Sequence, residues 1–128
     1  MSSSTSKLLT FSKKFFFLKK LYFFYNIYLR NYKFYFSGAQ FGEDRKFLKY
    51  FKKKHKGTYV DLGCFHPTRY NNTFRMYKKG WKGLNVDLNP FTIELFNFAR
   101  PRDINVCAAL SEKKANKKIY FLGDLNSQ

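Results

Sequence analysis

Two acids and a glycine carry most of the chemistry this chain can offer. Gly57-Thr58-Tyr59-Val60-Asp61-Leu62-Gly63-Cys64-Phe65-His66-Pro67 runs through apolar residues into Asp61 and then Gly63. Asn85-Val86-Asp87-Leu88-Asn89-Pro90 runs in the same way into Asp87. Each half reads as a strand ending in an acid, followed by a loop and a helix. Two successive strand tips with acids, the first followed by a lone glycine, suit an adenosine-containing cofactor better than a metal or an anion. Asp87 lies 24 residues after Gly63, near the roughly 20-residue spacing at which a second-strand acid meets a ribose hydroxyl in dinucleotide folds. An ordinary αβ unit with acids at its strand ends accounts for the same spacing, because one glycine is a far weaker signal than G-x-G-x-x-G.

Other reactive residue types are sparse. Cys64 and Cys107 fall in a predicted loop and a predicted strand. Two cysteines are fewer than a disulfide-framed secreted domain carries, so free thiols in a reducing compartment are expected. Cys64 and His66 resemble half of a metal site, but no second pair completes four ligands, so no metal is expected. His55 sits in a lysine run and reads as solvated. Asn71-Asn72-Thr73 matches a glycosylation sequon but opens a predicted helix of a cytosolic chain, so it reads as a chance match.

The elements that must position Asp61 and Asp87 occupy only part of the chain. At 128 residues there is room for one domain. Residues 1–56 hold 14 Lys/Arg against 2 acids, whereas 57–128 hold 11 against 6, so the basic excess belongs to the N-terminal half. Lys, Phe, Tyr and Asn are all abundant, as an AT-rich coding sequence produces, and part of the basic-aromatic character follows from composition alone. The division falls near residue 37. Residues 1–6 are Ser-rich and expected to be disordered. Residues 7–36 interleave Phe, Tyr and Leu with Lys and Arg. Their longest uncharged run, 21–29, is nine residues, far short of the roughly 20 that span a bilayer. A small-residue cleavage site is missing, so a signal peptide fits poorly. A helix lying in the headgroup region suits the pattern, with lysines snorkelling and aromatics in the interface. A helix packed on the domain, or plain disorder, suits it too. Nucleic-acid binding through the same residues ranks below membrane contact.

From residue 37 the pattern tightens into alternating elements. Glu43 and Asp44 open a helix predicted to run to residue 54, where acids favour the positive end of its dipole, and Gly57 is its expected stop. Strands are predicted at 58–62, 83–87, 103–110 and 117–122. Helices are predicted at 69–79 and from Asn89 to residue 98, the latter opened by an N-cap and a proline at its first position. The βαβαβ order implies a parallel sheet with right-handed crossovers.

Several segments then occur in a telling order. They are Ala39-Gln40-Phe41-Gly42-Glu43-Asp44, Tyr59 to Pro67, Asn72-Thr73 with Lys78-Lys79-Gly80-Trp81-Lys82-Gly83, and Val86-Asp87-Leu88-Asn89-Pro90. Together, over residues 39–122, the set resembles the FkbM-type family of S-adenosylmethionine-dependent methyltransferases. Cys64 stands where that family usually has Ala, a small-for-small change. The family continues to a further core strand with an acid-rich segment, which nothing after Leu122 supplies. The expectation is therefore an α/β, Rossmann-like methyltransferase fold, truncated after the third core strand and one further strand. A basic-aromatic leader, helical or disordered, occupies 1–36, and the partial domain occupies 37–128.

The resemblance implies S-adenosylmethionine as cofactor and transfer of its methyl group, most often to a hydroxyl of a small molecule or glycan. Asp61, Gly63 and Cys64 would form the loop under the methionine part of the cofactor, where glycine lets backbone approach ligand. Asp87 would accept hydrogen bonds from both ribose hydroxyls. Leu88 and Asn89 would flank the adenine, unless Asn89 serves only as a helix cap. Glu43 belongs to the family's early motif and reads equally as a helix-dipole acid. Trp81 reads as packing rather than an adenine stack. No general base is assigned; His66 is a candidate by type, but a His-Pro step after the first strand better suits loop shaping. The 128-residue chain alone is expected to be inactive, cytoplasmic and peripheral to a membrane, with an anionic surface as partner for residues 7–36. The competing reading is a non-catalytic basic module that binds membrane surface or nucleic acid and keeps the cofactor motifs as relics.

Overall fold

The computed structural model describes residues 3–51 and 56–112. Helix α1 (Ser3–Phe24) passes through a π-helical turn (Tyr25–Arg30) into α2 (Tyr32–Ser37). After α3 (Glu43–Tyr50), the chain alternates β1 (Thr58–Leu62), α4 (Phe74–Lys78), β2 (Lys82–Asp87), α5 (Pro90–Ala99) and β3 (Ile104–Cys107). The sheet is parallel throughout in the order β1-β2-β3, with Val60 opposite Leu84 and Leu84 opposite Ile104. The chain is thus α/β with a three-stranded parallel sheet among the described residues, as the strand-helix alternation implied.

Several boundaries differ from the sequence expectation, each for a local reason. Ser3–Ser6, expected to be disordered, form the first turns of α1; no Gly or Pro interrupts the helix there. The helix expected to reach residue 54 ends at Tyr50, with Phe51 leaving the helical region at ψ 25°. Gly57 is not its stop. It lies under Trp81, where an added Cβ would come within 2.6 Å of the indole ring. The helix expected at 69–79 shrinks to Phe74–Lys78, because Tyr70 takes φ 51° and Asn71 and Thr73 are drawn into side-chain hydrogen bonds. The third strand is four residues long, 104–107, against an expected eight. The strand expected at 117–122 and His55 lie outside the described residues.

Packing is divided between the two faces of the sheet. Residues at paired positions of a parallel sheet share a face, so Tyr59, Asp61, Asn85 and Asn105 line one side. That side is covered: Asn85 is fully buried, and Asn105 donates to Asn97 of α5 at 2.9 Å. It is also polar, and Asp103 gathers it. The Asp103 carboxylate accepts from the Tyr59 hydroxyl (2.5 Å), the Gly83 amide (2.9 Å) and Asn85 Nδ2 (3.0 Å), so one acid just before β3 ties all three strands. The opposite face carries Val60, Leu62, Ile104 and Val106, which are exposed among the described residues.

The N-terminal helices dock on this domain. Phe23 and Ile27 pack against Leu95, Phe91 and Phe98, and Lys19 pairs with Glu94 at 2.7 Å. Further along, Arg75 of α4 reaches the Phe36 carbonyl at 2.6 Å, and Lys78 reaches that of Tyr35 at 3.0 Å. Buried Asp44 forms an ion pair with Arg75, joining α3 to α4.

Candidate functional site

The loop after β1 is built to leave the strand abruptly. Gly63 adopts φ 73°, a conformation that favours glycine, and both its amide and that of Cys64 bond the Val86 carbonyl (2.8 and 3.2 Å). The chain therefore turns over the carboxyl end of β2. Phe65 follows at φ 57°, unusual for a bulky residue, and its amide donates to Asp87 Oδ2 at 3.0 Å. The other oxygen, Asp87 Oδ1, accepts the Asn89 amide at 2.9 Å. Two backbone donors from different loops thus fix the orientation of the Asp87 carboxylate. Each of its oxygens retains acceptor capacity beyond its one amide.

Beside this carboxylate lies a cavity of about 280 Å³ lined by Gly63, Val86, Asp87, Leu88, Ala108, Ala109 and Leu110. It sits at the carboxyl ends of the strands, where parallel sheets bind ligands. The Ala108 amide bonds the Asp87 carbonyl at 2.9 Å, which carries the chain past β3 along the cavity wall. An added Cβ at Gly63 would meet no atom of the described residues within 4 Å, so among these the space beside the loop is open.

Of the six residues expected to hold a cofactor, Gly63, Asp87 and Leu88 line the cavity together. Asn89 caps α5: its Oδ1 accepts the Phe91 amide at 3.0 Å, and the residue is buried. The Cys64 side chain packs against Ile93 and Phe96. Burial, aided by the Asp61 and Asp87 carboxylates, pushes its thiol up to about 12, so it is protonated and a poor nucleophile at neutral pH. Asp61 Oδ2 accepts from Thr73 Oγ1 (2.8 Å) and Asn71 Nδ2 (3.2 Å) beneath the loop. Its visible role is to anchor the loop.

That anchor extends to a residue the sequence did not single out. Arg100 is fully buried at the end of α5. Its guanidinium donates to the Pro67 carbonyl (3.1 and 2.7 Å), Asn71 Oδ1 (2.5 Å) and Thr73 Oγ1 (2.8 Å), with Asp103 at 3.8 Å. Thr73 has one hydroxyl proton, and its shortest acceptor is Asp61. Asp61 therefore balances the Arg100 charge through Thr73 and Asn71. Ala108, Ala109 and Leu110 were also missed, although a run of small residues just past a strand tip marks a close approach. In the sequence, Asn71 and Thr73 stand out only as the ends of a sequon, with Thr73 also in a family motif.

His66 is a loop-shaping residue, as its His-Pro context suggested. Its Nδ1 accepts the amides of Thr68 (3.2 Å) and Arg69 (3.0 Å), which leaves the proton on Nε2, facing Asn26 Oδ1 at 3.3 Å. Burial, with Arg69, Arg100 and Arg30 nearby, lowers its pKa to about 3. Both ring nitrogens are occupied and the ring is neutral, so it serves poorly as a general base. Glu43 Oε2 accepts the Phe41 amide at 3.0 Å, a local reach-back at the start of α3. Trp81 is buried against Phe51, with ring centroids 5.5 Å apart. It precedes β2 at the amino end of the sheet, the end opposite the cavity. Among the described residues no cluster of His, Cys, Asp and Glu could hold a metal ion, and no helix is long and apolar enough to cross a membrane.

Comparison with family models, curated proteins and solved structures gives no match to this chain.

Proposed function

We propose that the cavity is the adenosine end of an S-adenosylmethionine site and that the chain carries the cofactor-binding part of a Rossmann-like methyltransferase acting on a hydroxyl. One observation carries this reading: Gly63 and Asp87, on adjacent parallel strand tips, face one cavity at the carboxyl edge of the sheet. The residues fit the group. Asp87 is held by two amides with acceptor capacity left for ribose hydroxyls, Leu88 offers an apolar wall, and the Gly63 turn leaves room for ligand against backbone. The bound cofactor supplies a methyl group on a sulfonium, which needs positioning more than acid-base help. Asp87 and the Gly63–Phe65 turn hold and orient it, while Arg100, Asn71 and Thr73 keep the turn in place.

Calorimetric titration with S-adenosylhomocysteine tests the assignment. Wild type is expected to bind measurably and Asp87→Ala at least about 100-fold more weakly, since two charge-assisted hydrogen bonds at roughly 1.5–3 kcal/mol each are lost. Asp87→Asn keeps the shape and one acceptor and is expected to fall between them. Equal binding by all three, with matched thermal melts, overturns the ribose assignment.

A further inference from the structure

The N-terminal helix leaves a surface that the cofactor reading does not use. Phe23 turns α1 onto α5, and at about 100° per residue the side away from that contact carries Phe17, Leu18 and Leu21, with Phe24 flanking them and Tyr25 just past the helix end. These five are between 48% and 60% exposed, so this side faces outward over two turns, with the Phe24 ring also meeting Tyr28 at 5.2 Å between centroids. Open grooves flank the Phe23 contact. One, of about 420 Å³, is lined by residues including Phe16, Lys20 and Phe98, and the other, of about 630 Å³, by residues including Phe15, Leu18 and Phe91. Apart from Glu94, which lines both grooves and pairs with Lys19, the surrounding charge is positive. Residues 1–42 contain seven Lys/Arg and no acid. Lys19 is paired with Glu94, whereas no ion pair among the described residues engages Lys14, Lys20, Arg30 or Lys33.

We propose that this outer side of α1 docks in the headgroup region of an anionic phospholipid bilayer. Phe17, Leu18, Leu21, Phe24 and Tyr25 enter the interface, and Lys14 and Lys20 reach lipid phosphates on flexible stems. Spanning is excluded for this segment by its nine-residue uncharged run. Charge selects the occupant. A second copy would bring Lys14 and Lys20 against the same cations with no acid from residues 1–42 to offset them, and the two would repel. The aliphatic Leu18 and Leu21 in the middle of the stripe favour a lipid interface over nucleic acid, whose contacts require cations and stacking rings.

Flotation of the full chain with phosphatidylcholine vesicles, with and without phosphatidylserine, tests the proposal. Binding is expected only with phosphatidylserine, and it should weaken between about 0.1 and 0.5 M salt as screening shortens. The outward variant Phe17→Ser/Leu21→Ser/Phe24→Ser should partition about tenfold or more weakly, with Trp81 emission unchanged to show that the domain is folded. Lys14→Glu/Lys20→Glu should weaken binding and flatten its salt dependence. Equal binding to neutral vesicles, wild-type partitioning by the outward variant, or preference for a single-stranded DNA oligomer of matched charge would each overturn the proposal.

Discussion

Replacing Arg100 by methionine is expected to destabilise the domain by about 3–5 kcal/mol. The guanidinium makes four hydrogen bonds, to Pro67, Asn71 and Thr73, from a fully buried position. Summing charged bonds at roughly 1.5–3 kcal/mol each overshoots, because removing the cation also removes its desolvation cost. What remains is the penalty for stranding its partners. The Pro67 carbonyl loses both bonds, and Asp61 and Asp103 lose a balancing charge, a situation that costs about 3–5 kcal/mol in buried clusters. Methionine keeps an apolar stem against Phe74, Tyr77 and Phe96, whose rings lie 4.9–5.5 Å from the guanidinium carbon, so the loss reports on polar contacts. Lysine keeps the charge but cannot reach three acceptors from one ammonium, and it is expected to recover less than half of the loss. In urea unfolding followed by circular dichroism, a slope of about 1.5 kcal/mol per molar converts the loss to a midpoint shift of about 2–3 M. Adding Asp61→Asn to Arg100→Met should return about 1 kcal/mol or more, because a stranded acid is neutralised. A midpoint within about 0.5 M of wild type, or full rescue by lysine, would refute the account.

Two further outcomes follow from the buried titratable groups. His66 takes up a proton near 6.5 when unfolded and only near 3 when folded, so the unfolded state binds more protons in that window and stability falls as pH drops through it. The expected loss is about 2 kcal/mol by pH 5, and a His66→Gln variant should show a flatter stability profile from pH 7 to 5; identical profiles would contradict the neutral-ring assignment. Cys107 is exposed and Cys64 is buried with its thiol pushed up to about 12, so a disulfide reagent at pH 8 should label one thiol quickly and the second only as the domain unfolds, whereas two fast thiols would refute the packing of Cys64.

The parts of the fold that read directly from sequence are those decided locally. Apolar runs ending in Asp61 and Asp87 marked β1 and β2, and Asn89-Pro90 marked the start of α5, because strand propensity and capping act within a few residues. The parts that misread are those decided at a distance. Residues 69–73 look helical, but Arg100, nearly thirty positions later, pulls Asn71 and Thr73 into the buried cluster that balances Asp61. No local pattern announces such a competitor. The leader, 7–36, stays open in sequence for a related reason: its aromatic content fits an interfacial helix and a packed helix equally, and Asn26, reaching His66 forty residues away, shows that one side is packed.

The same separation of ranges explains which site residues were legible. Gly63 and Asp87 were found because each sits at a strand tip, and a parallel pairing that aligns Leu62 with Val86 brings the two tips to one edge. Asp61 has the same sequence signature as Asp87 but a different fate. The pleat sends both onto the helix-covered side of the sheet, yet Asp87 is the last residue of its strand, and the loop after β1 folds back to meet it. Asp61 lies one residue short of its strand's end and meets Thr73 and Asn71 instead. A one-residue difference in where the strand stops thus decides which acid lines the cavity and which anchors the loop over it. Moving that stop, not exchanging the acids, is what would swap their roles.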